Sequence, residues 1–176
     1  MKHNPKSYLI LLVEDEPLSR AVLGRQLEKS GYRVNAVASA EEAIDELKKG
    51  LPAIVLLDIK LPGMSGLELL EWLRREYRTR RLPVIMISAL SETGDIVRGL
   101  EMKANDYVAK PINMPILLAR IGTQLTISDM IIRLETQSKI LARMASLDEL
   151  TGVFNRRSLI EILKIEVERS IRYTTP

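Results

Sequence analysis

Five residues able to bind a metal ion or transfer a phosphoryl group follow or end short apolar segments of the chain. They are Glu14, Asp15, Asp58, Ser88 and Lys110. Three carboxylates brought together would raise each other's pKa unless a cation neutralised them. The chain has no cysteine and no histidine near these residues, which favours oxygen ligands and Mg²⁺ over Zn²⁺. A carboxylate beside a metal ion and a lysine can attack phosphorus, so we predict that Asp58 forms an aspartyl phosphate.

Apolar segments alternating with helical patterns indicate how these residues are positioned. The segments suited to buried strands are Tyr8–Val13, Arg33–Val37, Ala53–Leu57, Val84–Ile87 and Tyr107–Ala109. Between them, apolar residues recur at the spacing of a helix face, first as Ala40, Ala43, Ile44 and Leu47, then as Leu70, Leu73 and Tyr77. The alternation predicts an α/β fold: a flavodoxin-like, doubly wound five-stranded parallel sheet with helices on both faces. Ligands of such sheets bind beyond the carboxyl ends of the strands, where all five residues are expected.

The acids also have an ordinary structural interpretation. Asp58 could cap the helix that starts near Ser65, and Glu14 or Asp15 could cap the helix after Pro17. Capping is the simpler explanation for one acid alone. Three acids with a serine and a lysine on successive strand ends favour a phosphorylation site instead.

Four sequence motifs resemble those of two-component receiver domains. They are VEDEP at 13–17, LLDIKLPGMSG at 56–66, PVIMISA at 83–89 and DYVAKP at 106–111. The resemblance extends from Tyr8 to about Leu125 and is specific, because every motif falls at a predicted strand end. It implies that Asp58 is the phosphoacceptor, that a sensor histidine kinase or phosphotransfer protein is the donor, and that Mg²⁺ or Mn²⁺ is required.

The same resemblance implies a role for each neighbour of the phosphoacceptor. The metal ligands would be Asp15, Asp58, the backbone carbonyl of Lys60 and, through water, Glu14. Ser88 and Lys110 would bind the phosphoryl group. Ser88 and Tyr107 would be the switch pair, in which the hydroxyl moves toward the phosphoryl group and the ring turns inward. Taken singly, Ser88 could be an ordinary strand terminus and Tyr107 an edge aromatic. The Lys110–Pro111 bond is expected to be cis.

Two positions depart from the receiver pattern. Lys103-Ala104-Asn105 stands where many receivers have a glycine first, so this turn is expected to be built differently. Lys60 places a long cation beside Asp58, where it could alter the lifetime of the acyl phosphate in either direction.

A single helix of some thirty-five residues is predicted after Pro115, because no further proline or strong turn signal occurs before Thr151-Gly152. Apolar residues fit the a and d positions of a coiled coil at Ile127, Met130, Leu134, Leu141 and Met144, with Gln137 as a polar exception. A helix packed back on its own domain is the alternative.

Residues 147–163, LDELTGVFNRRSLIEIL, resemble the opening of GGDEF (diguanylate cyclase) domains. The matching residues are Asp148, Leu150, Thr151, Gly152, Asn155, Arg156 and Arg157. A turn at Thr151-Gly152 and a helix from about Arg156 are expected, with Leu159, Ile160, Leu163 and Val167 on one face. The catalytic part of such a domain would follow Pro176, so this chain alone is expected not to make cyclic di-GMP. The chain is either cut from a longer protein, which an ending just before an expected strand favours, or a natural remnant that signals by association.

The expected organisation follows from these segments. Residues 1–7 form a disordered tail, 8–125 the receiver domain, 126–146 a helical linker able to form a coiled coil, and 147–176 the start of a GGDEF domain. A net charge of +3 is too balanced to imply nucleic-acid binding. The first apolar segment is too short for a membrane span and no signal peptide precedes it, so a cytoplasmic protein is expected.

The leading functional hypothesis is a response regulator in which phosphorylation of Asp58 changes homodimerisation and, in a longer parent, diguanylate cyclase activity. The alternative is a receiver fold used for docking or dimerisation without phosphorylation. A transcription factor is disfavoured because the residues after Ser146 are too few for a DNA-binding domain. A haloacid-dehalogenase-type phosphatase would need an acid where Lys60 stands.

Overall fold

The central element is a five-stranded parallel sheet. The computed structural model describes residues 8–77, 82–89, 101–146, 153 and 155–172. The strands are β1 (Leu9–Val13), β2 (Arg33–Val37), β3 (Ile54–Asp58), β4 (Val84–Ala89) and β5 (Asp106–Lys110). Their order is β2-β1-β3-β4-β5, and every neighbouring pair is parallel. The predicted α/β class and doubly wound parallel sheet are confirmed.

Among the described residues, three helices connect the first four strands and two follow the last strand. They are α1 (Pro17–Lys29), α2 (Ala40–Lys49), α3 (Gly66–Glu76), α4 (Met114–Ser146) and α5 (Arg156–Arg172). Ser39 caps α2 by accepting from Glu42 N. Ser65 and Glu68 form a reciprocal capping box on α3. Residues 90–100, between β4 and β5, lie outside the described part.

Two apolar clusters cover the two faces of the sheet. Successive side chains of a strand point to opposite faces, so alternate residues of β1 and β3 enter different clusters. One cluster joins Leu11 and Leu57 to α2 and α3. The other joins Ile10 and Leu56 to α1 and to the first turns of α4. Helices on both faces therefore leave the carboxyl edge of the sheet open for polar residues.

The turn before β5 corrects one expectation. Lys103 has a φ of 67°, the left-handed conformation that a glycine adopts at little cost, so the expectation of a differently built turn was wrong. The guanidinium of Arg74, on α3, donates to Lys103 O at 2.9 Å, to Leu82 O at 3.0 Å and to Asn105 Oδ1 at 2.9 Å. Asn105 Oδ1 also accepts from Val84 N at 2.9 Å. These bonds hold the lysine in a conformation it rarely adopts.

Helix α4 has 33 residues, close to the predicted length. The chain divides into two compact units, residues 1–130 and 131–176. In the first unit Leu117, Ile121 and Leu125 are buried against the sheet. The predicted a and d residues Ile127, Met130, Leu134 and Leu141 are all exposed. The first turns of α4 therefore pack on the receiver, as the alternative prediction stated, and the coiled coil stays a prediction.

The remaining predictions on this part of the chain have mixed outcomes. In the second unit, α5 begins at the predicted Arg156, and its apolar residues Leu159, Ile160, Leu163 and Val167 are exposed. The predicted tail, the Thr151-Gly152 turn and the side chain of Met144 lie outside the described residues.

One segment of the described chain, Met114–Leu141, is long and apolar enough to cross a membrane by length and composition. The signal is weak, because the core residues of a soluble domain pass the same test. Leu117, Ile121 and Leu125 belong to the core of the sheet.

Candidate active site

The three acids singled out in the sequence meet at the carboxyl edge of the sheet. Val13 of β1 pairs with Leu57 of β3, so the next residues, Glu14 and Asp58, lie at neighbouring strand ends. Glu14 is 1% exposed and Asp58 is 4% exposed, whereas Asp15 is exposed. One carboxylate oxygen from each acid lies within 4.8 Å of the other two. The predicted convergence of the acids is therefore present.

Lys110, the last residue of β5, lies between the two buried acids. Its Nζ donates to Asp58 Oδ2 and, at 3.1 Å, to Glu14 Oε1. It also lies 2.9 Å from Glu14 Oε2, which is buried and accepts no hydrogen bond from the described residues. The ammonium is thus shared between two carboxylates, and Glu14 Oε2 has an ion-pair contact with it but no hydrogen bond from the described residues.

Burial and charge shift two pKa values in this cluster. Burial raises the pKa of Glu14, the charge of Asp58 raises it further, and Lys110 opposes both. Burial by itself would lower the pKa of Lys110, but hydrogen bonds to Asp58 and Glu14 raise it overall. The raised pKa keeps the Lys110 ammonium protonated at neutral pH, beside three clustered carboxyl groups.

Asp58 is held by backbone groups on both sides. Lys60 N donates to Asp58 Oδ1 at 3.0 Å. Gly66, the first residue of α3, packs so closely that a Cβ there would lie 1.9 Å from Asp58 O. Gly66 N also donates to Ile59 O at 2.9 Å. Gly66 was not predicted from the sequence, although its place in the motif after Asp58 was a usable signal.

Capping does not explain the acids. Ser65 caps α3, so Asp58 does not. The N-cap of α1 is Glu16, which makes no side-chain cap bond and instead accepts from Ser19 Oγ. The capping interpretations of Asp58, Glu14 and Asp15 were therefore wrong.

Arg20, a residue that the sequence analysis missed, holds the loop between β1 and α1. Its Nη1 donates to Glu14 O at 2.7 Å and to Asp15 O at 2.9 Å. No sequence signal distinguishes this arginine, because its partners are main-chain oxygens. The loop that carries two of the three acids is thereby tied to the first turns of α1.

Ser88 lies on β4, the strand beside that of Asp58, and Tyr107 lies on β5, one strand further along the sheet. Ser88 is buried in β4, where Asp58 pairs with the preceding residue, Ile87. Tyr107 is half-buried in β5, with the Arg120 guanidinium 5.9 Å from the centre of its ring. Arg120 also pairs with Asp106. The Lys110–Pro111 bond is cis, as predicted.

A groove of about 480 Å³ opens beside the acids. It is lined by Glu14 and Lys110 from the site and by apolar residues of α1, among them Leu18 and Val22. These two side chains are 70% and 47% exposed. The charged cluster thus borders an apolar surface that is accessible to another molecule.

Comparison with known proteins is consistent with this geometry. Residues 10–122 match the family described as the response regulator receiver domain. The chain is 42% identical over 116 residues to the phosphate regulon transcriptional regulatory protein PhoB of Rhizobium meliloti (strain 1021), covering 66% of this chain and 51% of that protein. PhoB of Escherichia coli (strain K12) is 41% identical over 112 residues, covering 64% and 49%. The chain therefore spans about half the length of the curated relatives it matches.

Two solved structures are also similar. The receiver domain of the TMAO respiratory system response regulator TorR has a TM-score of 0.62 and 34% identity, covering 67% of this chain and 96% of that one. A probable two-component system response regulator/GGDEF domain protein has a TM-score of 0.67 and 28% identity, covering 71% and 52%. With the parallel sheet and the acidic pocket in place, this chain belongs to the response regulator receiver domain family of two-component systems.

Proposed function

We propose that Asp58 accepts a phosphoryl group in a reaction that depends on Mg²⁺ or Mn²⁺. Membership of the receiver family implies a histidine kinase as partner, and a phosphotransfer protein is the other expected donor. The observation that carries the proposal is the position of the Asp58 carboxylate, between Lys60 N and Lys110 Nζ and within 4.8 Å of two further acids.

The acidic cluster is typical of the Mg²⁺ site of a receiver. The buried Glu14 Oε2, which accepts no hydrogen bond from the described residues, suits a metal-bound water. Asp15, Asp58 and the backbone carbonyl of Lys60 would hold the ion directly, and Glu14 would hold it through water. When bound, the ion neutralises the carboxylates and the phosphoryl oxygens.

Different residues of the chain then have different roles in phosphoryl transfer. A carboxylate oxygen of Asp58 forms a bond to phosphorus while the bond between phosphorus and the donor's histidine nitrogen breaks. The Lys110 ammonium, already in contact with Asp58, offsets the negative charge of the transferring group. Ser88 donates a hydrogen bond to a phosphoryl oxygen. The same groups promote hydrolysis of the acyl phosphate.

The groove beside the site is the surface where we expect the donor to dock. A phosphohistidine must reach Asp58, and the groove shares Glu14 and Lys110 with the site. Leu18 and Val22 give it an apolar floor suited to a helix of the kinase or phosphotransfer protein. A charged residue at Leu18 is expected to slow transfer from the kinase but not from acetyl phosphate.

Phosphorylation is proposed to act through Ser88 and Tyr107. As the Ser88 hydroxyl moves toward the phosphoryl group, the Tyr107 ring turns inward to fill the space. This is supported by the partial packing of the ring against the cluster of α2 and α3 and by its exposed contact with Arg120. The altered surface shifts an existing equilibrium of dimerisation.

The output is proposed to lie in a longer cytoplasmic protein. Residues 8–125 would be the receiver, 126–146 the linker of a homodimer, and 147–176 the start of a GGDEF domain that makes cyclic di-GMP. The motif at 147–163 supports this assignment, as does the similar structure of a response regulator/GGDEF protein. The curated relatives are named as transcriptional regulators, but no nucleic-acid or membrane partner is proposed for this chain.

The test is incubation with acetyl phosphate and Mg²⁺ followed by intact-mass measurement. The wild type is expected to gain one phosphoryl group, and Asp58→Asn is expected to gain none. Asp45→Asn, an exposed acid on α2, is the matched control and should behave as the wild type. An equal mass gain in Asp58→Asn would contradict the proposal.

A docking or dimerisation module that needs no phosphorylation is the second candidate. The exposed apolar residues of α4, such as Leu134 and Leu141, favour it, because they give a second copy something to bind in any state of Asp58. Sedimentation with and without beryllofluoride, a phosphoryl mimic, separates the two. An unchanged monomer–dimer equilibrium favours the second candidate.

A further inference from the structure

The loop between β1 and α1 must hold an unusual arrangement of side chains. Glu14 and Asp15 are consecutive, and consecutive side chains of an extended strand point to opposite sides. Their carboxylates nevertheless lie within 4.8 Å of each other and of Asp58, with Glu14 buried and Asp15 exposed. The backbone must therefore turn between them, and something must hold that turn.

Local capping does not hold it. Glu16, the N-cap of α1, makes no side-chain cap bond, and the helix begins with Pro17, which has no N–H to offer. The N–H of Glu14 donates to Val37 O at 3.2 Å and ties the start of the loop to β2. The two carbonyls on either side of the turn remain, and both are occupied by one side chain.

That side chain is Arg20. A single nitrogen, Nη1, donates to Glu14 O at 2.7 Å and to Asp15 O at 2.9 Å. Two successive peptide groups are thus aimed at one point on a half-buried guanidinium. Because carbonyl direction sets the direction of the adjoining side chains, the bridge orients both carboxylates toward the proposed metal site.

We propose that Arg20 is a positioning residue for the metal site: its bridge across the carbonyls of Glu14 and Asp15 keeps their carboxylates in place to bind a divalent cation. The inference rests on the proposed Mg²⁺-dependent function. Arg20 touches neither the metal nor the phosphoryl group and acts only through the loop.

The charge of Arg20 makes the proposal testable by the sign of an effect. A positive charge close to the site repels a divalent cation, so removing it strengthens Mg²⁺ binding if charge is all that matters. Removing a group that orients metal ligands weakens binding, commonly by tenfold or more. The two explanations therefore predict opposite changes in the dissociation constant.

The experiment is calorimetric titration of the full chain with MgCl₂, comparing the wild type with three variants. Arg20→Met is expected to raise the dissociation constant about tenfold. Arg20→Lys, which keeps the charge but offers one compact donor group, should fall between Arg20→Met and the wild type. Arg25→Met removes the same charge from an exposed position on α1 and should bind as the wild type or slightly tighter.

A second measurement separates positioning from general destabilisation. Hydrogen exchange of the amides of residues 14–16 should be faster in Arg20→Met than in Arg25→Met, with no change in the amides of β3. Both measurements are made at a temperature at which circular dichroism shows the variants to be folded. If Arg20→Met does not fold, Arg20→Gln is used in its place.

Equal or tighter Mg²⁺ binding by Arg20→Met would overturn the inference and leave the proposed function standing. Absence of Mg²⁺ binding by the wild type would instead overturn the proposed function. In that case the exchange rates still decide whether Arg20 holds the loop, and unchanged rates in Arg20→Met would overturn that role.

Discussion

Two partly buried cations stand at opposite ends of β5 and have opposite surroundings. Lys110, at the carboxyl end, contacts the carboxylates of Glu14 and Asp58. Arg74, beside the amino end, donates in the described part of the chain to two backbone carbonyls and the amide oxygen of Asn105. The contacts raise the pKa of Lys110, whereas burial lowers the pKa of Arg74 to about 10.

The difference separates a reactive site from a structural one. Each nitrogen of the Arg74 guanidinium donates to an oxygen, and these bonds fix the turn. The Lys110 ammonium is shared between two acids, Glu14 and Asp58, and Glu14 Oε2 accepts no described hydrogen bond. Such an incomplete arrangement costs stability but leaves room for a metal ion and a phosphoryl group, a usual compromise at functional sites.

The largest expected effect is on the chemistry. Lys110→Met removes the donor next to Asp58, and phosphorylation by acetyl phosphate with Mg²⁺ should slow by roughly 10²- to 10³-fold, as when one donor to a developing charge is lost. The rate is followed by intact mass. Arg74→Met is the control and should keep nearly the wild-type rate. Equal slowing in both variants would contradict the assignment of a reactive role to Lys110 and a structural role to Arg74.

The reverse test concerns stability. Arg74→Met leaves Lys103 O and Leu82 O without their donor, and the free energy of unfolding should fall by about 2–3 kcal/mol. Urea denaturation measures it. Arg75→Met, which removes only an exposed ion pair with Glu71, should cost less than about 0.5 kcal/mol. Similar losses in the two variants would show that burial of Arg74 contributes little.

The acids should cost stability when no metal is bound. Burial raises the folded-state pKa of Glu14, so the folded protein binds more protons than the unfolded chain between the unfolded pKa and the raised folded value. Stability therefore falls as pH rises through that window, from about 4.5 upward. In EDTA at pH 7, Glu14→Gln should raise the free energy of unfolding by roughly 1 kcal/mol and weaken Mg²⁺ binding. A lower free energy of unfolding in Glu14→Gln would contradict the view that the buried Glu14 carboxylate destabilises the metal-free protein.

The smallest expected effect is at the turn near Arg74. Lys103→Gly relieves a left-handed conformation that costs a non-glycine residue about 1–2 kcal/mol, and part of this gain is lost to glycine's greater unfolded entropy. A net gain of about 0.5–1 kcal/mol is expected in urea denaturation. The phosphorylation rate should not change, and a loss of stability would mean that the lysine side chain contributes contacts of its own.

Much of the fold follows from local patterns. The apolar segments predicted all five strands. The central strands β1 and β3 are almost entirely apolar, as a strand covered on both faces requires, whereas the edge strands β2 and β5 include polar residues. Boundaries were less accurate: β3 includes Asp58 and β4 continues to Ala89, since pairing with neighbours extends each strand beyond its apolar part. Tyr77, predicted on the face of α3, lies just past the helix in an extended conformation, whereas Leu69 is buried.

The residues of the site were predictable because each follows a strand, and strands of a parallel sheet end at one edge. Gly66, Arg20 and Arg74 were missed for a shared physical reason. Their partners are backbone groups: Asp58 O for Gly66, the Glu14 and Asp15 carbonyls for Arg20, and two carbonyls besides Asn105 for Arg74. Main-chain atoms carry no residue type, so the sequence does not identify these contacts, although Gly66 lies within the motif that follows Asp58.

The sequence by itself therefore determined the succession of strands and helices along the chain, because periodicity and residue type act locally. It also determined that the site lies at the carboxyl edge of the sheet and which residues meet there. Only the tertiary structure decided how charge is shared among them. It placed Lys110 between two acids, gave Arg74 neutral partners and aimed two carbonyls at Arg20. The Lys110 and Arg74–Asn105 contacts join segments far apart in the chain, which packing of the sheet brings together. The Arg20 contacts reach only the nearby loop and depend on how that loop turns.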